Sequence, residues 1–119
     1  MFRKPIMRFH RNFQVWLYSV SHGHLLLRST KDKNHRTQID VLFKNVSLMQ
    51  LPASFSELAI SEMSLEEFQS LNLSTGRFPM EGRKYFSLEG DSWQGVIVAG
   101  YVGWSEDDAE HFTPSKLIS

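Results

Sequence analysis

Apolar and polar residues alternate with a period of two along most of this chain, in short runs separated by turn residues. That alternation limits the fold more than any other feature, because it buries one face of a strand and cannot be laid on a helix of period 3.6. The run Phe13–Ser21 is followed by His22-Gly23 and then His24–Ser29. A two-residue turn there predicts Val20 opposite Leu25, Tyr18 opposite Leu27 and Trp16 opposite Ser29, with a three-residue loop as the alternative, since His tolerates positive φ less readily than Gly. Residues 30–36 are polar throughout and read as an exposed loop. Thr37–Phe43 and Val46–Leu51 flank Lys44-Asn45, which predicts a second hairpin matching Phe43 with Val46 and Val41 with Leu48, and leaving Asp40 on the wetter face. Glu57–Ser61 reads as a fifth strand.

One helix is expected. Ser64-Leu65-Glu66-Glu67 is a capping box, Met63 and Phe68 fit a hydrophobic staple, and Leu65, Phe68 and Leu71 form one apolar stripe. Beyond a loop at 72–80, Arg83–Glu89 and Ser92–Trp104 flank Gly90-Asp91, so a third hairpin should set Phe86 against Gly95 and Leu88 against Trp93. The return strand is the most apolar and is placed centrally. Gly95, Gly100 and Gly103 suggest bends that would curl the sheet. Ser105–Asp108 reads as the cap of a single helical turn. Three tight hairpins in seven strands predict a mainly β fold, an antiparallel, meander-rich sandwich or half-barrel with one short α-helix. The chain divides into a basic N-terminal segment over 1–12, a single β-rich domain over 13–112 and a tail over 113–119.

Composition narrows the function classes. At 119 residues the chain suits one domain, and its three Trp, nine Phe and three Tyr can fill a core. Cysteine is absent, which removes disulfide scaffolds, thiolate metal sites and cysteine nucleophiles. No apolar run approaches the roughly 20 residues of a membrane span, and the basic start, in which Met1 and Met7 both offer an initiation point, lacks the apolar core of a secretory signal. The expected compartment is cytoplasmic, without membrane contact.

Net charge is zero but unevenly spread: residues 1–44 hold nine Lys or Arg against two acids, and residues 45–119 hold four against eleven. The poles either neutralise each other in the fold or steer a charged partner, including a second copy through complementary poles. Basic residues interleaved with aromatics near the N-terminus could bind single-stranded nucleic acid by charge and stacking, but the acidic second half and a pI near 7 argue against it.

Reactive constellations are sparse. His22 and His24 could contribute to a metal site completed by an acidic partner, with His35 or the Glu106–His111 stretch as candidates. That acidic stretch lacks the alternating oxygen ligands and sharp glycine of a calcium loop. No nucleophile elbow or phosphate-binding glycine loop occurs. Asp40 with Glu57, Glu89 or Asp91 could supply paired carboxylates, though no spacing favours any pair. The expectation is therefore a non-catalytic, cofactor-free protein-interaction module, in the style of compact bacterial accessory or neutralising proteins, an analogy of fold that carries over no residue. Its candidate contacts are Trp16, Trp104, Arg8, Arg11, Lys31, Lys33, Arg36, Glu106, Asp107 and Asp108. Two alternatives stand beside it: a small metal-dependent enzyme or metal-binding protein using His22 and His24, and a weak binder of single-stranded nucleic acid through the basic segment.

Overall fold

The computed structural model describes residues 4–73, 79 and 81–108. Eight strands and one helix follow in the order β1 (Met7–Ser19), β2 (His24–Ser29), β3 (Gln38–Lys44), β4 (Leu48–Gln50), β5 (Ser54–Met63), α1 (Leu65–Ser70), β6 (Lys84–Gly90), β7 (Trp93–Ala99) and β8 (Tyr101–Asp107). The fold is mainly β, as the period-two pattern requires. All eight strands belong to one antiparallel sheet, ordered β4-β7-β6-β5-β1-β2-β3-β8.

Chain continuity makes this sheet curl. Three residues join β3 to β4, and Gly100 alone joins β7 to β8. β3 pairs with β8 and β4 with β7, so two bent segments run side by side along their whole length. Bonds from Gly100 N to Lys44 O (2.9 Å) and Ser47 N to Val98 O (2.8 Å) carry the ladder across the bend. Neighbouring strands therefore follow one another in a ring: β1, β2, β3–β4, β7–β8, β6, β5 and back to β1. Asn45 adopts a left-handed conformation (φ 55°), which asparagine tolerates, and a side chain at Gly100 would press on it at 3.1–3.2 Å. Both segments bend at the same place for that reason.

This overturns the predicted second hairpin. Lys44-Asn45 bends the strand without reversing it, and β3 lies between β2 and β8, where Ile39, Val41 and Phe43 meet Ser29, Leu27 and Leu25 on one side. Alternation shows which face is apolar and is silent on which neighbour covers it. The first and third hairpins exist with shifted registers. Four residues, Val20 to Gly23, close the first, so Tyr18 lies opposite Leu25, and Trp16 is the extra residue of a bulge between Val15 and Leu17. In the third the turn is Asp91-Ser92, which sets Leu88 against Gly95 and Phe86 against Ile97. Each shift at the turn is by two, so the apolar faces survive it.

Strand β1 begins at Met7, inside the segment expected to precede the domain. Its residues from Arg8 to Asn12 alternate between exposed and half-buried, and Met7, Phe9 and Phe13 join the interior. Two register shifts bend this strand enough to pair with β2 at one end and β5 at the other. Residues 105–107, expected to start a helical turn, instead extend β8 against Gln38–Asp40. The predicted tail over 113–119 lies outside the described residues.

The helix forms as the capping box dictates. Ser64 Oγ accepts from Glu67 N and the Glu67 carboxylate accepts from Ser64 N, both at 3.1 Å. Met63 and Phe68 join a small cluster with Tyr85 and Val98, while Leu71 is exposed, so the apolar stripe ends at Phe68. The main core contains Leu25, Leu27, Val41, Phe43, Leu58, Ile60, Phe86, Leu88 and Ile97 among its buried residues. Each such side chain contributes about 1.5–3 kcal/mol by leaving water. Among the described residues no helix is long and apolar enough to cross a membrane.

Candidate functional site

In β2 and β3 the alternate positions Leu26, Arg28, Asp40 and Leu42 point away from that core, yet they are buried as well. Asp40, expected on the wetter face, lies directly opposite Arg28 and is almost fully enclosed. Arg28 Nε donates to Asp40 Oδ1 at 2.7 Å and Nη2 donates to Oδ2 at 3.1 Å. A planar guanidinium matches a carboxylate in this two-point geometry, which is what makes burial of both charges tolerable. Trp16 stacks on the guanidinium, with Arg28 Cζ 4.9 Å from a ring centroid. The candidate contact residue Trp16 is thus partly spent on roofing an internal ion pair. Gln38 Oε1 and Ser105 Oγ, buried nearby on β3 and β8, have no hydrogen-bond partner among the described residues.

A second cationic residue is used internally. Arg11 donates from Nε to Ser29 Oγ (3.1 Å), from Nη1 to Thr37 Oγ1 (3.0 Å) and from Nη2 to the Thr30 and Thr37 carbonyls, with Glu106 at 3.9 Å. Burial pulls its pKa below the ordinary guanidinium value, while Glu106 and Asp32 pull back the other way. Thr37 donates to Glu106, and Lys31 donates to the Asp108 carbonyl. The basic loop and the acidic end of β8 therefore meet within one molecule, and the lopsided charge is in part satisfied by folding. Arg8, Lys33 and Arg36 remain exposed, Asp107 is half-buried and Asp108 exposed. In the same loop the Asn34 amide, followed by His35, holds the Asp32 carboxyl below its usual range.

Among the described residues, the most exposed of the Phe, Tyr and Trp side chains sit on β8. Trp104 lies opposite Val41 and meets the Phe9 ring edge-on at 5.3 Å, yet stays 48% exposed; Tyr101 is 45% exposed. Tyr101 folds over Gly103, filling the space a side chain there would need, and Lys44 Nζ lies 5.2 Å from its ring centroid. One edge of β8 pairs with β3, and the other pairs with no strand among the described residues. Tyr101 was not among the expected contacts; three residues from Trp104 in an unbroken register, it lies on the opposite face of β8.

His22 and His24 come together at the first hairpin, with ring centroids 5.7 Å apart. The described part of the acidic stretch, Glu106–Asp108, lies elsewhere, since Asp107 pairs with Gln38 at the start of β3 while Leu25 pairs with Phe43 near its end; Glu110 and His111 lie outside the described residues. Five residues of strand span about 17 Å. Among the described residues no group of three or more His, Asp or Glu is placed to hold a metal. Of the carboxylates considered for paired chemistry, Asp40 is committed to Arg28, whereas Glu57, Glu89 and Asp91 line an open cleft of about 420 Å³ together with Arg8. Glu57 has a left-handed backbone (φ 66°) and its Oε2 lies 2.7 Å from His10 Nδ1.

Comparison with family models, curated proteins and solved structures returns no match for this chain.

Proposed function

We propose that the protein works by association, as a non-catalytic interaction module, and that β8 is its principal contact. The observation that supports this reading best is the pair of large aromatics, Trp104 and Tyr101, left about half exposed on a strand with one edge unpaired among the described residues. Exposed aromatics with a polar rim are the usual anchors of protein interfaces. A strand edge adds main-chain hydrogen bonds to an extended partner segment, and side chains on alternate positions select it. Glu106, Asp107 and Asp108 at the far end favour a partner with basic residues beyond an apolar stretch. Glu106 faces Arg11 within the same molecule, so shape and aromatic contact are expected to outweigh charge.

The test compares capture of source-cell proteins by the native chain and by a Tyr101→Ala/Trp104→Ala variant whose far-ultraviolet spectrum shows it folded at the assay temperature. A specific protein retained by the native chain and lost by the variant supports the reading. Identical capture by both removes β8 as the contact.

A further inference from the structure

We propose that His22 and His24 form half of a site for a divalent transition-metal ion such as zinc, and that the same two histidines of a second copy complete it. The two rings already share one side of the hairpin, 5.7 Å apart between centroids and inclined by 34°. An ion bound about 2.0–2.1 Å from a ring nitrogen lies about 3.2 Å from the ring's centre. Two imidazoles at a tetrahedral angle on one ion therefore have centres about 5 Å apart, and a small rotation of either ring closes the difference.

The surroundings of His22 are those of a ligand. Its Nδ1 lies 3.0 Å from Ser21 Oγ and 3.2 Å from Ser19 Oγ. A hydroxyl accepting from Nδ1–H selects the tautomer whose Nε2 lone pair faces outward, which is how an outer hydrogen bond prepares a histidine to ligate. The hairpin holds its shape, because Gly23 takes a positive φ (64°) and its carbonyl accepts from Val46 N at 3.0 Å. Lys44, the nearby cation, directs its amine over Tyr101.

One chain supplies two ligands here, and a closed tetrahedral site needs four. A two-fold axis through the ion doubles the pair to four imidazoles, a set suited to zinc, copper or nickel. The same tip carries Leu17, Tyr18 and Val20 exposed, Val20 to 79%. Facing tips would bury this apolar collar around the ion, and with zero formal net charge the two copies do not repel. The site takes one ion per two chains and uses no residue of β8.

The experiment titrates zinc chloride into the untagged, chelator-treated full chain, following bound metal after desalting and molar mass by light scattering. The expected result is half an ion per chain with a doubling of mass, reversed by EDTA. His22→Ala and His24→Ala each abolish both, and His35→Ala changes neither. Both histidines lie outside the core, and an unchanged far-ultraviolet spectrum confirms that each variant folds. Absence of retained metal overturns the proposal, as does metal bound without a mass change or bound equally well by His22→Ala.

Discussion

Strands β3 and β8 are hydrogen-bonded neighbours with opposite fates. Every residue of β3 from Gln38 to Phe43 is buried, including an aspartate, whereas no residue of β8 is fully buried and two large aromatics stand half in water. The difference lies in what surrounds each strand. β3 has β2 on one edge and β8 on the other, with both faces covered; β8 has β3 alone among the described strands. Near-continuous apolar runs such as Leu25–Leu27 and Val41–Phe43 are the composition of strands covered on both faces, and the broken polarity of Ser105-Glu106-Asp107 belongs to one that is not. The contrast teaches that burial in a small curled sheet follows neighbours, and the proposed contact falls on β8, which has one.

The largest way to break the comparison is to strip one charge from the covered strand. Asp40→Ala leaves Arg28 enclosed without its carboxylate and is expected to cost about 3–5 kcal/mol, read as a lowered urea midpoint. Replacing both partners sharpens the point, since Arg28→Met/Asp40→Leu should recover most of that loss. Next comes Leu42→Ala, on the same outward but covered face, with an expected loss of about 2–5 kcal/mol. Trp104→Ala on β8 removes a larger side chain yet should cost only about 1 kcal/mol, the scale of one edge-on ring contact, while abolishing partner capture. A loss at Trp104 matching that at Leu42 would erase the distinction between the two strands.

The smallest effect concerns the loop that leads into β3. The Asp32 carboxyl is held below its ordinary pKa by the Asn34 amide and then His35. A depressed carboxyl stabilises the fold above its unfolded pKa and loses that contribution as pH falls through the lower, folded value. Carbon-detected titration should place Asp32 below the usual carboxylate range, and Asp32→Asn should remove a small part of the acid limb of the stability profile.

What could be read from the residues was local. Ser64, Glu67, Met63 and Phe68 specify the helix start within six positions, and the structure forms it as written. The turn near Gly90 was visible but displaced by one residue, because Gly90 itself packs against the Ser56 and Glu57 carbonyls where a side chain would not fit. The pairing of Arg28 with Asp40 was hidden, since it needs β2 and β3 joined across a polar loop in one register out of several. The bend at Asn45 resembled a turn for the same reason: a polar pair between apolar runs permits either, and only Gly100 on the facing segment decides it. As to the candidate site, Trp104, Arg11, Lys31 and the acidic end of β8 were recognisable as residue types. Which of them would be consumed inside the fold depended on contacts between residues far apart in sequence, Lys31 with Asp108 at a separation of 77 and Arg11 with Glu106 at a larger one.

Amide hydrogen exchange, followed residue by residue, tests the contrast between β3 and β8 most directly. Amides of β2 and β3 should exchange only through global unfolding, and every second amide of β8, facing away from β3, should exchange orders of magnitude faster. Protection along β8 that is uniform and equal to that of β3 would contradict the account and remove the surface on which the proposed association depends.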